Sequence, residues 1–229
     1  MIKNKKVLVV VPARGGSKGI RLKNLRKING KSLIEITSNF IKKLKFVDYK
    51  IVSTDNLKII KEAEKHKFNI IERPKKLSGD RISDYQVLEH CINKLYRDGM
   101  IFDIVIYLQP TSPFRKINHL YKSLQKMIKS NYSAIWSVTK VNKKFHPLKV
   151  LRSNKNNLEL YLNKGKKIIA RQQLENIYIR NGIFYIFNIK DLLKNKSIYL
   201  KKTLLSITEY QHVNIDNLSD LKKAQSLIN

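Results

Sequence analysis

Between residues 6 and 138, short runs rich in Val and Ile alternate with longer amphipathic stretches. That alternation restricts the chain to one class of fold. Residues 6–12 (KVLVVVP) are almost continuously apolar and end in a Gly-rich loop, the pattern of a strand buried on both faces of a parallel sheet. Further strands are expected at 49–54, 69–72, 104–108 and 134–138. Helices are expected at 32–44, 55–66, 83–99 and 117–130. Ser32 and Ser83 each precede a Glu or Gln by three residues, which is a capping-box spacing, and Asp55 reads as the cap of the second helix. Strand–helix alternation means an α/β fold with a mostly parallel sheet, helices on both faces and right-handed crossovers. In such sheets ligands sit beyond the carboxyl ends of the strands. Chemistry is therefore expected in the loops after Pro12, Thr54, Glu72 and Leu108.

The alternation breaks at 140–176, a polar, Lys-rich excursion with apolar residues at 148–151 and 158–162. A strand returns at 183–188, and an amphipathic helix at 219–228 closes the chain. Residues 1–229 are expected to form a single domain with an insert at about 140–176. The longest early apolar run is too short to span a membrane, and one Cys permits no internal disulfide. The expectation is a soluble, cytoplasmic protein with no membrane insertion.

Lys and Arg number 47 against 17 Asp and Glu, a net charge of +30. The Lys doublets are spread along the whole chain, with no dominant basic tail or helix. They read as solvated helix faces, and nucleic acid is not the expected partner. A positive field of this size still attracts anionic small molecules.

The first loop reads Pro12-Ala-Arg-Gly-Gly-Ser-Lys-Gly-Ile-Arg-Leu-Lys-Asn24. Gly15, Gly16 and Gly19 let the backbone approach a ligand and turn N–H groups inward, and Arg14, Lys18 and Lys23 add three cations. This composition suits a polyphosphate, but the spacing matches neither the dinucleotide loop nor the ATPase P-loop. The loop at 108–115 (LQPTSPFR) uses two prolines to hold Gln109, Thr111, Ser112 and Arg115 past a strand end. It suits a polyhydroxy ligand and equally a helix-start turn capped by Ser112. Arg171 and Arg180, in the segment returning from the excursion, are candidate carboxylate partners. Asn214 and Asp216 share one side of an extended segment and could ligate Mg²⁺ or form an Asx turn. No zinc pattern and no nucleophile elbow is present.

Taken in order, these segments resemble the acylneuraminate cytidylyltransferases, the CMP-sialic acid synthetases. The matches are PARGGSKG at 12–19 with Lys23-Asn24, IVSTD at 51–55, ERP at 72–74, LQPTSPFR at 108–115, HPLK at 146–149, RQQL at 171–174, Asn181-Gly182 with Tyr185, and Asn-Ile-Asp at 214–216. The resemblance implies a Rossmann-like three-layer nucleotidyltransferase fold. It also implies a reaction in which CTP and a nine-carbon keto-sugar acid give a CMP-sugar and pyrophosphate. Legionaminic, pseudaminic and eight-carbon Kdo-type acids are alternative substrates, and an inactive RNA- or anion-binding protein on this fold is the alternative of another class. By resemblance Arg14, Ser17, Lys18 and Lys23 hold the triphosphate along with Gly15 and Gly16, Asn24 holds the nucleoside, and Arg73 sits near the base. Gln109, Arg171, Asn181 and Tyr185 line the sugar-acid pocket. Asp216, with Asn214, holds Mg²⁺. The excursion is implied to form a homodimer from which Lys149 reaches the partner's sugar site. The family usually has Asp where this chain has Asn214, Arg180 stands beside the usual Arg position, and Asp84 replaces a hydroxyl residue.

Overall fold

The computed structural model describes residues 2–227. In chain order the first elements are β1 (Val7–Pro12), the two-residue strands β2 (Lys27–Ile28) and β3 (Lys31–Ser32), α1 (Leu33–Lys42) and β4 (Tyr49–Thr54). There follow α2 (Leu57–Lys65), β5 (Asn69–Glu72), α3 (Asp84–Arg97), β6 (Ile104–Tyr107), α4 (Ile117–Lys129) and β7 (Ala134–Lys140). The C-terminal part adds β8 (Leu151–Asn154), β9 (Asn157–Leu160), β10 (Tyr178–Asn188), α5 (Ile189–Asn195), β11 (Thr203–Ile207) and α6 (Leu218–Ser226). The closing helix expected at 219–228 is α6, and position 228 lies outside the described residues.

Seven strands form the main sheet in the order β11-β7-β10-β6-β1-β4-β5. The pairs β1–β4, β1–β6, β4–β5 and β7–β11 are parallel, whereas β10 runs antiparallel to both β6 and β7. Alternation along β1 builds two core layers. Val7, Val9 and Val11 pack on one face with Ile34 and Phe40 of α1 and with Leu120 and Leu124 of α4. Leu8 and Val10 pack on the other with Tyr85, Leu88 and Leu95 of α3 and with Leu192 of α5. Period-two side chains on a strand covered on both sides require this division. Cys91 lies in the second layer, where burial pushes its thiol up to about 11, so it is an inert core residue. Among the described residues no helix is long and apolar enough to cross a membrane.

Three local expectations are revised. The cap of α2 is Asn56, whose side chain accepts from the Lys58 and Ile59 N–H groups; Asp55 is committed elsewhere, accepting from the Gly15 N–H at 2.8 Å. The box at Ser83 closes in both directions, but the one at Ser32 is half formed. Ser32 Oγ accepts from the Glu35 N–H and gives its own hydrogen to Glu62 at 2.6 Å, and the Glu35 carboxylate lies by Glu62 and His66. The returning strand begins at Tyr178, not at residue 183, because a register shift between Arg180 and Tyr185 lets it pass through Asn181 and Gly182. The edge strand β11 and the short α5 were not expected from the sequence at all.

The excursion carries the hairpin β8–β9, which forms a sheet of its own. Its apolar residues stay largely in solvent: Leu151 is 54% exposed and Leu158 74% exposed, with Ile169 beyond them at 94%.

Candidate active site

The carboxyl ends of β1, β5 and β6 open onto a cleft of about 500 Å³. Four segments line it: the loop after β1, the segment 73–87, the loop after β6, and Asn214 with Asp216. The placement follows from sheet topology, since β6, β1, β4 and β5 are parallel neighbours whose loops emerge on one side.

The Gly-rich loop is pinned from below. Ala13 N–H donates to the Ser53 carbonyl, and Gly15 N–H donates to Asp55. A Cβ at Gly15 would sit 2.8 Å from the Asn56 side chain, so the close approach to the α2 cap requires glycine there. Further along, Lys23 and Asn24 lie in a single 3₁₀ turn. Asn24 is buried and donates to the Arg14 carbonyl at 3.3 Å. Lys23 Nζ reaches Asp216 Oδ1 at 2.8 Å across 193 residues of chain, closing the loop against the 214–216 segment.

Three cations of the cleft, Arg14, Lys18 and Lys23, are held by carboxylates. Arg14 lies 2.8 Å and Lys18 2.6 Å from the two oxygens of Asp80. Those contacts, Lys18 before Arg14, hold the Asp80 carboxyl below its ordinary value. Arg73 is buried at the floor, donating to Ser53 Oγ at 3.1 Å and to the Ser53 carbonyl at 2.8 Å, and burial lowers its pKa. Tyr107 O–H donates to Asp84 Oδ1 at 3.0 Å, and Asp84 Oδ2 lies 3.8 Å from Arg180. The Arg180 guanidinium is in turn 5.4 to 5.9 Å from the rings of Trp136, Tyr185 and Tyr199.

The loop after β6 meets the irregularity in β10. Gly182 has φ +74°, and a Cβ there would fall 2.6 Å from both Gln109 Oε1 and Ser112 Oγ. Arg115 clamps the junction by donating to the Ile183 carbonyl at 2.9 Å and to the Gln109 carbonyl. Burial pushes its guanidinium down to about 9, which leaves it charged at neutral pH.

The expected site residues thus divide into three groups, besides Gly15 and Gly16, which belong to the loop after β1 but do not line the cleft. Arg14, Ser17, Lys18, Lys23, Asn24, Arg73, Gln109, Asn214 and Asp216 converge on the cleft. Asn181 and Tyr185 stand behind it. The Asn181 side chain accepts from Ser137 and donates to Thr139 and Thr208, and Tyr185 Oη accepts from the Gly182 N–H. Lys149 and Arg171 lie together on the excursion, beside a separate hollow of about 230 Å³. Sequence reading missed Asp80 and Tyr107 as cleft residues. Asp80 follows a Ser-Gly turn past a strand end, which is a usable signal; Tyr107 sits inside an apolar run and gives none.

The expected Mg²⁺ ligands, Asp216 and Asn214, lie side by side at the cleft. Asp216 Oδ1 is taken by Lys23, whereas Oδ2 accepts from the Asn214 Nδ2 at 3.0 Å, the Asn214 oxygen being turned to Ser112. One carboxylate and one amide oxygen suit Mg²⁺, which uses few protein ligands and keeps water and phosphate as the rest.

A family model described as cytidylyltransferase matches residues 8–227. The chain belongs to the cytidylyltransferase family. Among cytidylyltransferases with curated names, the N-acylneuraminate cytidylyltransferase of Escherichia coli O18:K1:H7 is 29% identical, with 96% of this chain and 51% of that protein covered. The CMP-N,N'-diacetyllegionaminic acid synthase of Legionella pneumophila is also 29% identical, covering 97% of this chain and 96% of the relative. So is the pseudaminic acid cytidylyltransferase of Campylobacter jejuni, at 97% and 96% coverage. The chain spans about half the length of the N-acylneuraminate relatives it matches. A solved CMP:2-keto-3-deoxy-manno-octonic acid synthetase complexed with CTP superimposes with a TM-score of 0.71 at 17% identity, over 97% of this chain and 98% of that one. This likeness establishes the nucleotidyltransferase fold.

Proposed function

We propose that the protein transfers a cytidylyl group from CTP to a keto-sugar acid of the N-acylneuraminate class, giving a CMP-sugar and pyrophosphate. The observation that carries this reading is the convergence of Arg14, Lys18 and Lys23 on one cleft with Asn24, Arg73, Gln109 and Asp216, in a chain of the cytidylyltransferase family. The relatives at equal identity act, by their names, on N-acylneuraminate, diacetyllegionaminic and pseudaminic acids, which supports the class of acid and not one member of it.

In this reading the anomeric hydroxyl of the acid attacks the α-phosphorus of CTP, passes its proton to water, and displaces pyrophosphate as the α–β phosphoanhydride bond breaks. Arg14, Lys18, Lys23 and Ser17 grip the triphosphate with the Gly16 N–H beside them, while the Gly15 N–H, held by Asp55, fixes the loop in place. Asn24 and Arg73 hold the nucleoside end, and Gln109 contacts the sugar. Asn181 and Tyr185 shape that end from behind through the Gly182 bulge. Positioning and charge neutralisation do most of the work in transfer at phosphorus. Mg²⁺, held by Asp216 and Asn214, would supply the remaining neutralisation when bound.

CTP must take Arg14 and Lys18 from Asp80. Asp80→Asn is therefore expected to lower the KM for CTP, by up to about fivefold given that exposed ion pairs are weak. A higher KM would mean that Asp80 organises the cations and does not compete for them. Nucleotide choice is checked by thermal shift with each nucleotide and Mg²⁺. CTP at about a hundredfold above Kd should add about 2.7 kcal/mol of stability. Equal shifts for CTP, ATP, GTP and UTP would reduce the cleft to an unselective anion binder, the reading in which a basic protein docks to RNA.

The exposed Leu151, Leu158 and Ile169 support a homodimer through the excursion. Lys149 and Arg171 lie on that excursion, and a partner's cleft is where they would meet a sugar carboxylate. Sedimentation at micromolar concentration should give a dimer, and Leu158→Asp should shift it toward monomer. A wild-type monomer under those conditions contradicts this part of the reading.

A further inference from the structure

Ser112 has one hydroxyl hydrogen and two acceptors within reach. The Asn181 main-chain oxygen is 3.0 Å away and Asn214 Oδ1 is 3.1 Å away. One proton serves one of them well. Ser112 and Asn181 are buried, so bulk water does not serve the Ser112 hydroxyl or the Asn181 carbonyl, whereas Asn214 is exposed and its carboxamide has room to turn. On its other side Asn214 Nδ2 donates to Asp216 Oδ2 at 3.0 Å.

Turning the Asn214 carboxamide end for end changes this balance. The nitrogen then faces Ser112 Oγ, which accepts from Asn214 while donating to Asn181, so both of its roles are filled. The amide oxygen then faces the Asp216 carboxylate, and two oxygens so placed repel unless a cation lies against both. Lys23 does not supply that cation, because it is bound to the other carboxylate oxygen.

We propose that Asn214 is a two-position ligand. Its nitrogen hydrogen-bonds Asp216 when the cation site is empty, and its oxygen turns to the cation when the site fills. Ser112 is the positioning residue that receives the released amide hydrogen. The proposal rests on the reading of Asp216 as the Mg²⁺ anchor. It also gives the asparagine a use that an aspartate at 214 lacks: the empty site satisfies its own carboxylate, with no second negative charge beside it.

The test uses the full ¹⁵N-labelled chain titrated with Mg²⁺, alone and again with CTP but no sugar acid. The Asn214 side-chain amide signals are identified by their loss in Asn214→Asp. They should move saturably with the Kd that calorimetry gives for Mg²⁺. Ser112→Ala should weaken Mg²⁺ by about three- to tenfold, because one hydrogen bond made only in the loaded state is lost. If Asp216→Asn removes Mg²⁺ binding but the Asn214 amide stays still and Ser112→Ala leaves the Kd unchanged, the two-position ligand is refuted while the metal anchor stands. If Asp216→Asn titrates like the parent chain, both are refuted. The wild-type spectrum needs no variant to fold, so the amide readout decides the matter even if Ser112→Ala is unstable.

Discussion

Asp216→Asn should lower kcat by about a hundredfold or more at saturating substrates and Mg²⁺, as losses of charge stabilisation at reacting centres do. Thermal stability should stay within about 0.5 kcal/mol of the parent. The substitution keeps the shape and removes the charge. The Asp216 side chain is 65% exposed, so no core contact is lost, and its main-chain N–H still donates to Asp220. What disappears is the one carboxylate that both pairs with Lys23 and faces Asn214. A Mg²⁺ titration of the rate separates the alternatives. Unchanged rate and unchanged Mg²⁺ dependence would make Asp216 an ordinary partner of Lys23, with the cation held elsewhere.

Gly19→Ala should be nearly as damaging for a different reason. A Cβ on Gly19 would lie 2.2 Å from the Asp216 main-chain oxygen and 3.3 Å from its carbonyl carbon. Neither atom is a flexible side-chain end, so the Gly-rich loop and the 214–216 segment must move apart. A displacement of about 1 Å at reacting groups costs about a hundredfold in rate. Gly16→Ala is the matched control, because its Cβ would meet nothing within 4 Å. Steady-state kcat/KM should fall steeply for Gly19→Ala and stay near the parent for Gly16→Ala. Similar values for the two variants would show that the loop tolerates separation from Asp216.

The strands β1, β4, β6 and β7 were legible because Val and Ile runs mark strands covered on both faces, and the edge strand β5 because its Ile70-Ile71 pair follows a helix at the spacing of the alternation. The Gly-rich loop was legible because three cations and three glycines directly after such a strand have a clear physical use. Asn56 was misjudged by one position because adjacent Asp and Asn cap equally well. The choice depends on Gly15, whose N–H claims Asp55 across 40 residues. The edge strand β11 hid because its residues are only partly buried, so it carries no continuous apolar run. The strand β10 was read short because Arg-Asn-Gly looks like a turn; here it is an irregularity whose Gly182 makes room for Gln109 and Ser112.

In the cleft, the residues with charge or backbone freedom were found, and those defined by distant partners were not. Asp80 becomes a cleft residue only when Arg14 and Lys18 reach it. Tyr107 reads as core in its apolar run, and only the fold aims its hydroxyl at Asp84. Arg171 was assigned to a sugar pocket that its own chain does not bring it to; it lies on the excursion beside Lys149, the residue expected to reach the partner's site. This is why the dimer matters to the reading of substrate binding.

The central claim, cytidylyl transfer from CTP to a keto-sugar acid, is tested most directly by pyrophosphate release. The full chain is incubated with Mg²⁺, each of CTP, ATP, GTP and UTP, and a panel of acids: N-acetylneuraminic, legionaminic, pseudaminic and Kdo. The prediction is pyrophosphate release that requires both CTP and one of these acids, with a CMP-sugar formed in equal amount. Release with every nucleotide alike, release without any acid, or no release with any pair while the protein is folded and binds CTP would contradict it.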